Sequence, residues 1–244
     1  MTDIAHNLAR VQERIAQAAL RVGRDPAEVT LVAVAKTFPA PAVVAAYQAG
    51  LLHFGENRVE EAGTKIPAVH AVIPDDPPTW HMVGHVQSRK ARAVVAHFDC
   101  VHSVDRLKVA RRLSRFAQEA GRTLPVLLEC NVSGEEAKFG FALPGWQRDA
   151  ARRNAFFAAV EQILALPALA VHGLMTMAPL VADPEEVRPV FASLRGLLDT
   201  LRERFPAQDW RHLSMGMTDD FEVAIEEGAT MVRIGRAVFG PRSD

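Results

Sequence analysis

Short apolar segments alternate with helical segments along almost the whole chain of 244 residues. Between the apolar segments, hydrophobic residues recur at intervals of three and four, which is typical of amphipathic helices. Eight apolar segments have the length and the β-branched content of buried strands: 29–36, 51–55, 79–83, 99–104, 124–132, 169–175, 210–215 and 230–234. Eight strands that alternate with helices in about 250 residues predict a (β/α)8 TIM barrel.

The main alternative architecture is a doubly wound open sheet, which normally has a glycine-rich turn after its first strand. Here the first predicted strand runs into residues 35–39 (AKTFP), which contain no glycine. Apolar residues at helical spacing from Ile4 to Val22 predict a helix in front of that strand. We therefore expect one barrel domain over residues 1–244, with an N-terminal helix and no second β domain, because Asp244 closely follows the eighth strand.

The composition excludes several classes of protein. With 28 basic and 29 acidic residues, the formal net charge of −1 does not suit a nucleic-acid-binding surface. No apolar run reaches the roughly 18 residues of a membrane span, and the charged N-terminus does not resemble a signal peptide. Cys100 and Cys130 are too few for a disulfide framework. We expect a cytoplasmic monomer without a membrane or nucleic-acid partner.

In a TIM barrel, functional residues lie where the strands end, at the C-terminal face. Strand alternation places Val32, Val34 and Lys36 on the same side of the first strand, and bulky branched residues favour the barrel interior. A buried ammonium group is costly, whereas a neutral amine is a good nucleophile toward an aldehyde. The pattern therefore indicates a reactive lysine, although a lysine that extends from the strand end into solvent fits the position as well.

The segments after the seventh and eighth strands contain Ser214, Gly216 and Gly235. Loops at these two positions of a TIM barrel often bind a phosphate group, since glycines let the backbone N–H groups approach it. Ordinary glycine turns are the alternative interpretation.

Arg233 alternates with Val232 and Ile234, so we expect it inside the barrel, where it needs a carboxylate or a ligand atom as acceptor. His81 and His85 are four residues apart and straddle a strand end. This spacing permits a metal site, but without a neighbouring cysteine or carboxylate it favours hydrogen-bonding histidines.

Several stretches of the chain resemble one known family, the pyridoxal-5′-phosphate homeostasis proteins (the YggS/PROSC family). They follow one another over nearly the whole chain: LVAVAKTFP (31–39), HFGENRVEEAGTKI (53–66), WHMVGHVQSRKA (80–91), HSVDRL (102–107), NVSGEEAKFGF (131–141), HGLMTMAP (172–179) and LSMGMTDDFEVAIEEGATMVRIGRAVFG (213–240). The last stretch is the most specific.

The resemblance implies a barrel of the alanine-racemase type, PLP fold type III, with pyridoxal 5′-phosphate (PLP) bound in its mouth. Lys36 then corresponds to the lysine that forms the Schiff base, and Arg233 to the arginine that faces the pyridine nitrogen. The other implied cofactor-binding residues are Ser214, Gly216 and Gly235 near the phosphate, and Asn57 and Met175 near the ring.

The chain departs from the family pattern around the implied site. The family usually has a serine before its lysine and a second lysine two residues after it, whereas this chain has Ala35 and Phe38. Arg58 stands where a tyrosine is common, and Arg236 where a threonine usually assists the phosphate. The second lysine is linked in the family to cofactor exchange, a role for which Lys138 is a candidate here.

The resemblance implies a protein of PLP homeostasis, which binds the cofactor and delivers it to apo-enzymes without strong catalysis of its own. A weak amino-acid racemase is the alternative, because an arginine at the ring nitrogen leaves a weak electron sink. Racemases of this fold take a tyrosine from a second domain, whereas the only tyrosine here, Tyr47, lies in the predicted helix after the first strand. A barrel enzyme that forms a Schiff base with a phosphorylated sugar is a third interpretation, and it leaves Arg233 without a role.

Overall fold

The computed structural model describes residues 3–241, so residues 1–2 and 242–244 of the predicted domain lie outside the described residues. The strands are β1 (Thr30–Val34), β2 (His53–Glu56), β3 (Thr79–Met82), β4 (Cys100–Val104), β5 (Leu124–Asn131), β6 (Phe141–Ala142), β7 (Leu169–Met175), β8 (His212–Ser214) and β9 (Met231–Ile234). The helices are α1 (Ile4–Arg21), α2 (Ala40–Gln48), α3 (Val59–His70), α4 (Ala91–His97), α5 (Leu107–Glu119), α6 (Ala150–Leu164), α7 (Arg188–Arg204), α8 (Phe221–Glu226) and α9 (Arg236–Phe239).

The strands close into a barrel, as the sequence predicts. All neighbouring strands are parallel, in the order β1-β2-β3-β4-β5-β7-β8-β9, and β9 returns to β1. The short strand β6 is appended to β5 outside this ring. The predicted TIM barrel with an N-terminal helix is therefore confirmed.

Helix α1 forms because Asp3 caps it, accepting a hydrogen bond from the backbone N–H of His6, and because one face is apolar. That face buries Leu8, Val11 and Ile15, and α1 packs against α2, α8 and α9. The helix therefore covers the seam where the first and last strands meet. No helix within residues 3–241 is long and apolar enough to span a membrane.

Several element boundaries differ from the sequence prediction, and the end of β1 bears on the site. Strand β1 ends at Val34 rather than Lys36, because Thr37 has φ +69° and the chain turns there. Helix α6 begins at Ala150, because the side chain of Asp149 caps it at the backbone N–H of Arg152. The earlier end of β1 places Lys36 in the turn that follows the strand rather than within the strand.

The barrel interior is apolar in one part and polar in another. Leu127 on β5, Met175 on β7 and Met231 on β9 pack together. Since β5 and β9 are not adjacent, these side chains meet across the interior. Nearby interior positions carry buried polar side chains instead: His81, His102, Glu129, Ser214 and Arg233. Buried polar groups need partners, so this polar part is where specific chemistry is expected.

Candidate functional site

A cavity of about 790 Å³ opens at the C-terminal ends of the barrel strands. Four of the predicted cofactor-binding residues line it together: Lys36, Asn57, Arg233 and Gly235. Its other lining residues are Val34, Val83, Glu135, Lys138, Met177, Ala178, Leu180, Met217, Thr218, Asp219, Arg236 and Pro241. The lining therefore combines two primary amines, Lys36 and Lys138, and two guanidinium groups, Arg233 and Arg236, with several loop residues.

Lys36 follows β1 and is half-buried at the cavity wall. The backbone N–H of Ala35, just before it, donates to the carbonyl of Gly55 on β2 at 2.9 Å. The turn is thus anchored to the neighbouring strand immediately before the lysine, which fixes where its side chain starts.

Arg233 is buried on β9 and presents its guanidinium group to the cavity. Its Nη1 donates to Ser214 Oγ at 2.6 Å, and its Nη2 donates to the carbonyl of Thr176 at 2.8 Å. Burial lowers the pKa of Arg233 to about 10, although Asp220 and Glu129 act in the opposite direction. Arg233 therefore remains a cation at neutral pH, and its partners fix the orientation of the guanidinium group.

Two buried carboxyl groups near Arg233, those of Glu129 and Asp220, have raised pKa values. Burial raises the pKa of Glu129 to about 7, helped by the charge of Asp105 and opposed by that of Arg233. Burial also raises the pKa of Asp220, whose Oδ1 accepts a hydrogen bond from the backbone N–H of Met217 at 2.6 Å. Asp220 thereby shapes the loop after β8, which borders the cavity through Met217 and Thr218.

Three predicted site residues lie outside the cavity lining. Ser214 is fully buried, and its hydroxyl group contacts Arg233 Nη1 and, at 2.9 Å, His102 Nδ1. Met175 packs in the apolar interior cluster defined above. Gly216 has φ +92°, and a Cβ atom there would lie 2.6 Å from Ala224 Cβ, so glycine is needed to hold the loop against α8. Their predicted roles at the cofactor stay predictions.

The interior histidines form a hydrogen-bonded chain. From His102 it continues to His81, with Nε2 and Nδ1 2.9 Å apart, and then to His53, with Nε2 and Nδ1 3.0 Å apart. Burial lowers the pKa of His81 to about 3 and that of His102 well below its usual value, so both rings are neutral at pH 7. Together with Ser214, the chain connects Arg233 to β2.

His81 and His85 do not share a site. His85 stacks on Phe139 with ring centroids 3.7 Å apart, and its Nδ1 lies 3.2 Å from Asp105 Oδ2. Cys100 does lie near His81 and His102, with all three potential ligand atoms within 4.8 Å of one another. The ring nitrogens that face each other already share a hydrogen bond, and burial raises the pKa of the Cys100 thiol to about 12. The arrangement thus favours the hydrogen-bonding interpretation of His81.

The charged residues at the cavity rim are paired. Arg236 Nη2 lies 2.6 Å from Asp219 Oδ2, and both side chains are exposed. Lys138 forms an ion pair with Glu135. Exposed pairs such as Arg236–Asp219 are worth little energetically, about 0–1 kcal/mol, so Arg236 can exchange its partner for an anion that enters the cavity.

Sequence reasoning missed two groups of residues. Thr218 lines the cavity beside the glycine loop, a position that its place in the SMGMT stretch could have indicated. Glu61 and Lys65 on α3 contact the turn around Lys36, and no sequence pattern predicts that contact. The assembled cavity can hold a small ligand with an electrophilic carbon for the amine and an acceptor group for the guanidinium.

The chain matches the family model described as "Alanine racemase, N-terminal domain" over residues 2–243. A relative from Pseudomonas aeruginosa, named pyridoxal phosphate homeostasis protein, is 45% identical over 245 residues, which cover 99% of this chain and 97% of the relative. A relative of the same name from Escherichia coli is 42% identical over 246 residues, covering 99% of this chain and 98% of the relative.

Solved structures also resemble this chain. PipY of Synechococcus elongatus, solved with PLP bound, is 38% identical and superposes with a TM-score of 0.79, covering 98% of this chain and 100% of PipY. D-threonine aldolase from Filomicrobium marinum is 18% identical with a TM-score of 0.70, and the match covers 99% of this chain and 62% of the aldolase. The aldolase shares the barrel fold, and the likeness extends to nothing further.

Proposed function

This chain belongs to the pyridoxal phosphate homeostasis proteins, and on that premise we propose that it binds PLP, with Lys36 as the Schiff-base lysine, and supplies the cofactor to apo-enzymes. The observation that carries the proposal is that one cavity brings together Lys36 and Arg233. The PLP-bound structure of PipY supports the choice of ligand.

The described residues fit the cofactor. The cavity of about 790 Å³ is within the usual range for small-molecule sites. PLP, when bound, supplies an aldehyde, whose C=O becomes C=N on a primary amine with loss of one water. Lys36 offers that amine, and Arg233 offers a charged donor for the pyridine nitrogen. The loop that includes Met217 and Thr218, with Gly235, is the candidate binding site for the phosphate.

The environment of Arg233 favours a carrier over an enzyme. With a pKa of about 10, its guanidinium group keeps its proton at neutral pH and acts as a hydrogen-bond donor rather than an acid. A ring nitrogen that accepts such a bond stays unprotonated and withdraws electrons weakly, which disfavours most PLP chemistry.

Racemisation needs a suitably placed acid or base, and Tyr47 does not provide one. Its hydroxyl group donates to the carbonyl of Asp76 at 2.7 Å and lies 3.1 Å from Asp76 Oδ2, away from the cavity. A missing general base typically costs about 10²–10⁴ in rate. The racemase alternative is therefore less well supported.

A transfer experiment tests the proposed supply role. The PLP-loaded protein is mixed with an apo-enzyme that requires PLP, in the presence of a phosphatase that destroys free PLP. We expect the apo-enzyme to regain activity, because cofactor carried in the barrel is shielded from the phosphatase. No recovery under conditions where free PLP without phosphatase restores activity would contradict delivery, and rapid racemisation of alanine by the loaded protein would favour the racemase alternative.

A further inference from the structure

Three charged side chains meet behind the turn that carries Lys36. Lys65 Nζ lies 2.6 Å from Glu56 Oε1 and 2.8 Å from Glu61 Oε1. Lys65 and Glu56 are buried, with side chains 6% and 0% exposed, whereas Glu61 is 27% exposed. Burying an ammonium group between carboxylates costs desolvation free energy, which is offset only when the group has a complete set of partners.

This cluster holds the peptide groups on both sides of Lys36. Lys65 Nζ also donates to the carbonyl of Ala35 at 2.7 Å. The backbone N–H of Thr37 donates to Glu61 Oε1 at 2.6 Å. The residues just before and just after Lys36 are therefore tied to helix α3 by charged groups, and such charge-assisted hydrogen bonds are stronger than neutral ones.

The conformation of the turn explains why it needs these contacts. The backbone N–H of Phe38 donates to the carbonyl of Ala35 at 3.1 Å, so Lys36 and Thr37 are the two central residues of a β-turn. Thr37 has φ +69° in the position where a type II turn favours glycine or asparagine. A β-branched residue is strained there and keeps this conformation only when its surroundings impose it.

The cluster does not touch the cavity that holds Lys36. None of its three side chains is among the described residues that line that cavity. Glu61 and Lys65 instead border a separate depression on the outer side of the turn, together with Thr37 and Phe38. The contacts that join Glu61 to the turn are the hydrogen bond from the Thr37 backbone N–H and the ion pair with Lys65.

We infer that Glu61 is a positioning residue, which holds the turn in its strained conformation through Thr37 N–H and Lys65 and so directs Lys36 into the cavity. The inference rests on the proposed function for the role of Lys36. The simpler alternative is that Glu61 and Lys65, four residues apart on α3, form only an ion pair that stabilises the helix. That alternative predicts no effect on Lys36 chemistry.

The experiment compares Glu61→Ala and Glu61→Gln with Glu60→Ala. Glu60 is the matched control, because it is the adjacent glutamate on α3 and pairs with Lys90 rather than with the turn. In the ligand-free protein, we expect hydrogen exchange at the Thr37 amide to be about 10-fold faster or more in Glu61→Ala, as one lost charge-assisted hydrogen bond implies. Glu61→Gln retains the acceptor oxygen and should stay closer to the wild type.

The second readout is the rate at which added PLP forms the Schiff base, followed by visible absorption. We expect Glu61→Ala to slow it about 10-fold or more, because a misplaced nucleophile reacts slowly, with Glu61→Gln partly restored and Glu60→Ala unchanged. A wild type that forms no Schiff base at Lys36 would overturn the proposed function itself. A reactive wild type, together with a Glu61→Ala variant that matches Glu60→Ala in both readouts, would overturn only the role of Glu61.

Discussion

Replacing Lys36 with alanine is expected to abolish the visible absorption band that PLP forms with the wild-type protein. Lys36 offers a primary amine in the same cavity as Arg233 and Gly235, half-buried in the turn after β1. Without it, only the noncovalent contacts remain, and we expect affinity to fall at least about 100-fold, or ~2.7 kcal/mol. A spectroscopic titration with PLP measures both the band and the affinity.

Lys138→Ala is the informative comparison for this variant. Lys138 also lines the cavity, but it forms an ion pair with Glu135 and sits on a different loop. We expect Lys138→Ala to retain the band, even if the rate of cofactor exchange changes. A band that survives in Lys36→Ala, or disappears in Lys138→Ala, would show that Lys36 is not the lysine that forms the Schiff base.

Replacing Arg233 with methionine is expected to lower the free energy of unfolding of the ligand-free protein by about 3–5 kcal/mol. The change removes a buried cation near Glu129 and Asp220, and it leaves the carbonyl of Thr176 and the hydroxyl of Ser214 without their donor. Urea unfolding followed by circular dichroism measures the loss.

Two further variants separate charge from hydrogen bonding at this position. Ser214→Ala removes a single acceptor of Arg233 and should cost less, about 1–3 kcal/mol. Adding Glu129→Gln to Arg233→Met removes a carboxyl group that the cation stabilises, so it should restore part of the loss. If Arg233→Met stays within about 0.5 kcal/mol of the wild type, as ordinary surface substitutions do, the buried network is not what holds this part of the barrel together.

The fold was accessible from the sequence because parallel barrel strands are buried on both faces and read as short apolar runs. Those runs predicted each strand of the barrel, together with α1 in front of them. The end of β1 was wrong by two residues, since nothing local to Thr37 shows that its amide will bond to a carboxylate 24 positions away. The short strand β6 and helix α9 were missed because they are too brief to produce a periodic pattern.

Site residues could be predicted from the sequence only where they lie at or near the ends of barrel strands. Lys36, Asn57 and Gly235 follow barrel strands, Arg233 lies one residue before the end of β9, and the structure brings all four to one cavity. The hydrogen bond between Ser214 and His102 could not be predicted, because the two residues are 112 positions apart in the sequence. Such contacts depend on how the strands are arranged around the barrel, which alternation along one strand does not reveal.

The most direct test of this account is chemical trapping of the bound cofactor. The protein is mixed with PLP, reduced with borohydride, digested and mapped by mass spectrometry, so that a Schiff base becomes a stable label on one lysine. We predict that the label lies on Lys36, in the peptide that joins β1 to α2. A label on a surface lysine, or no label at all, would contradict the assignment of this cavity as the PLP site.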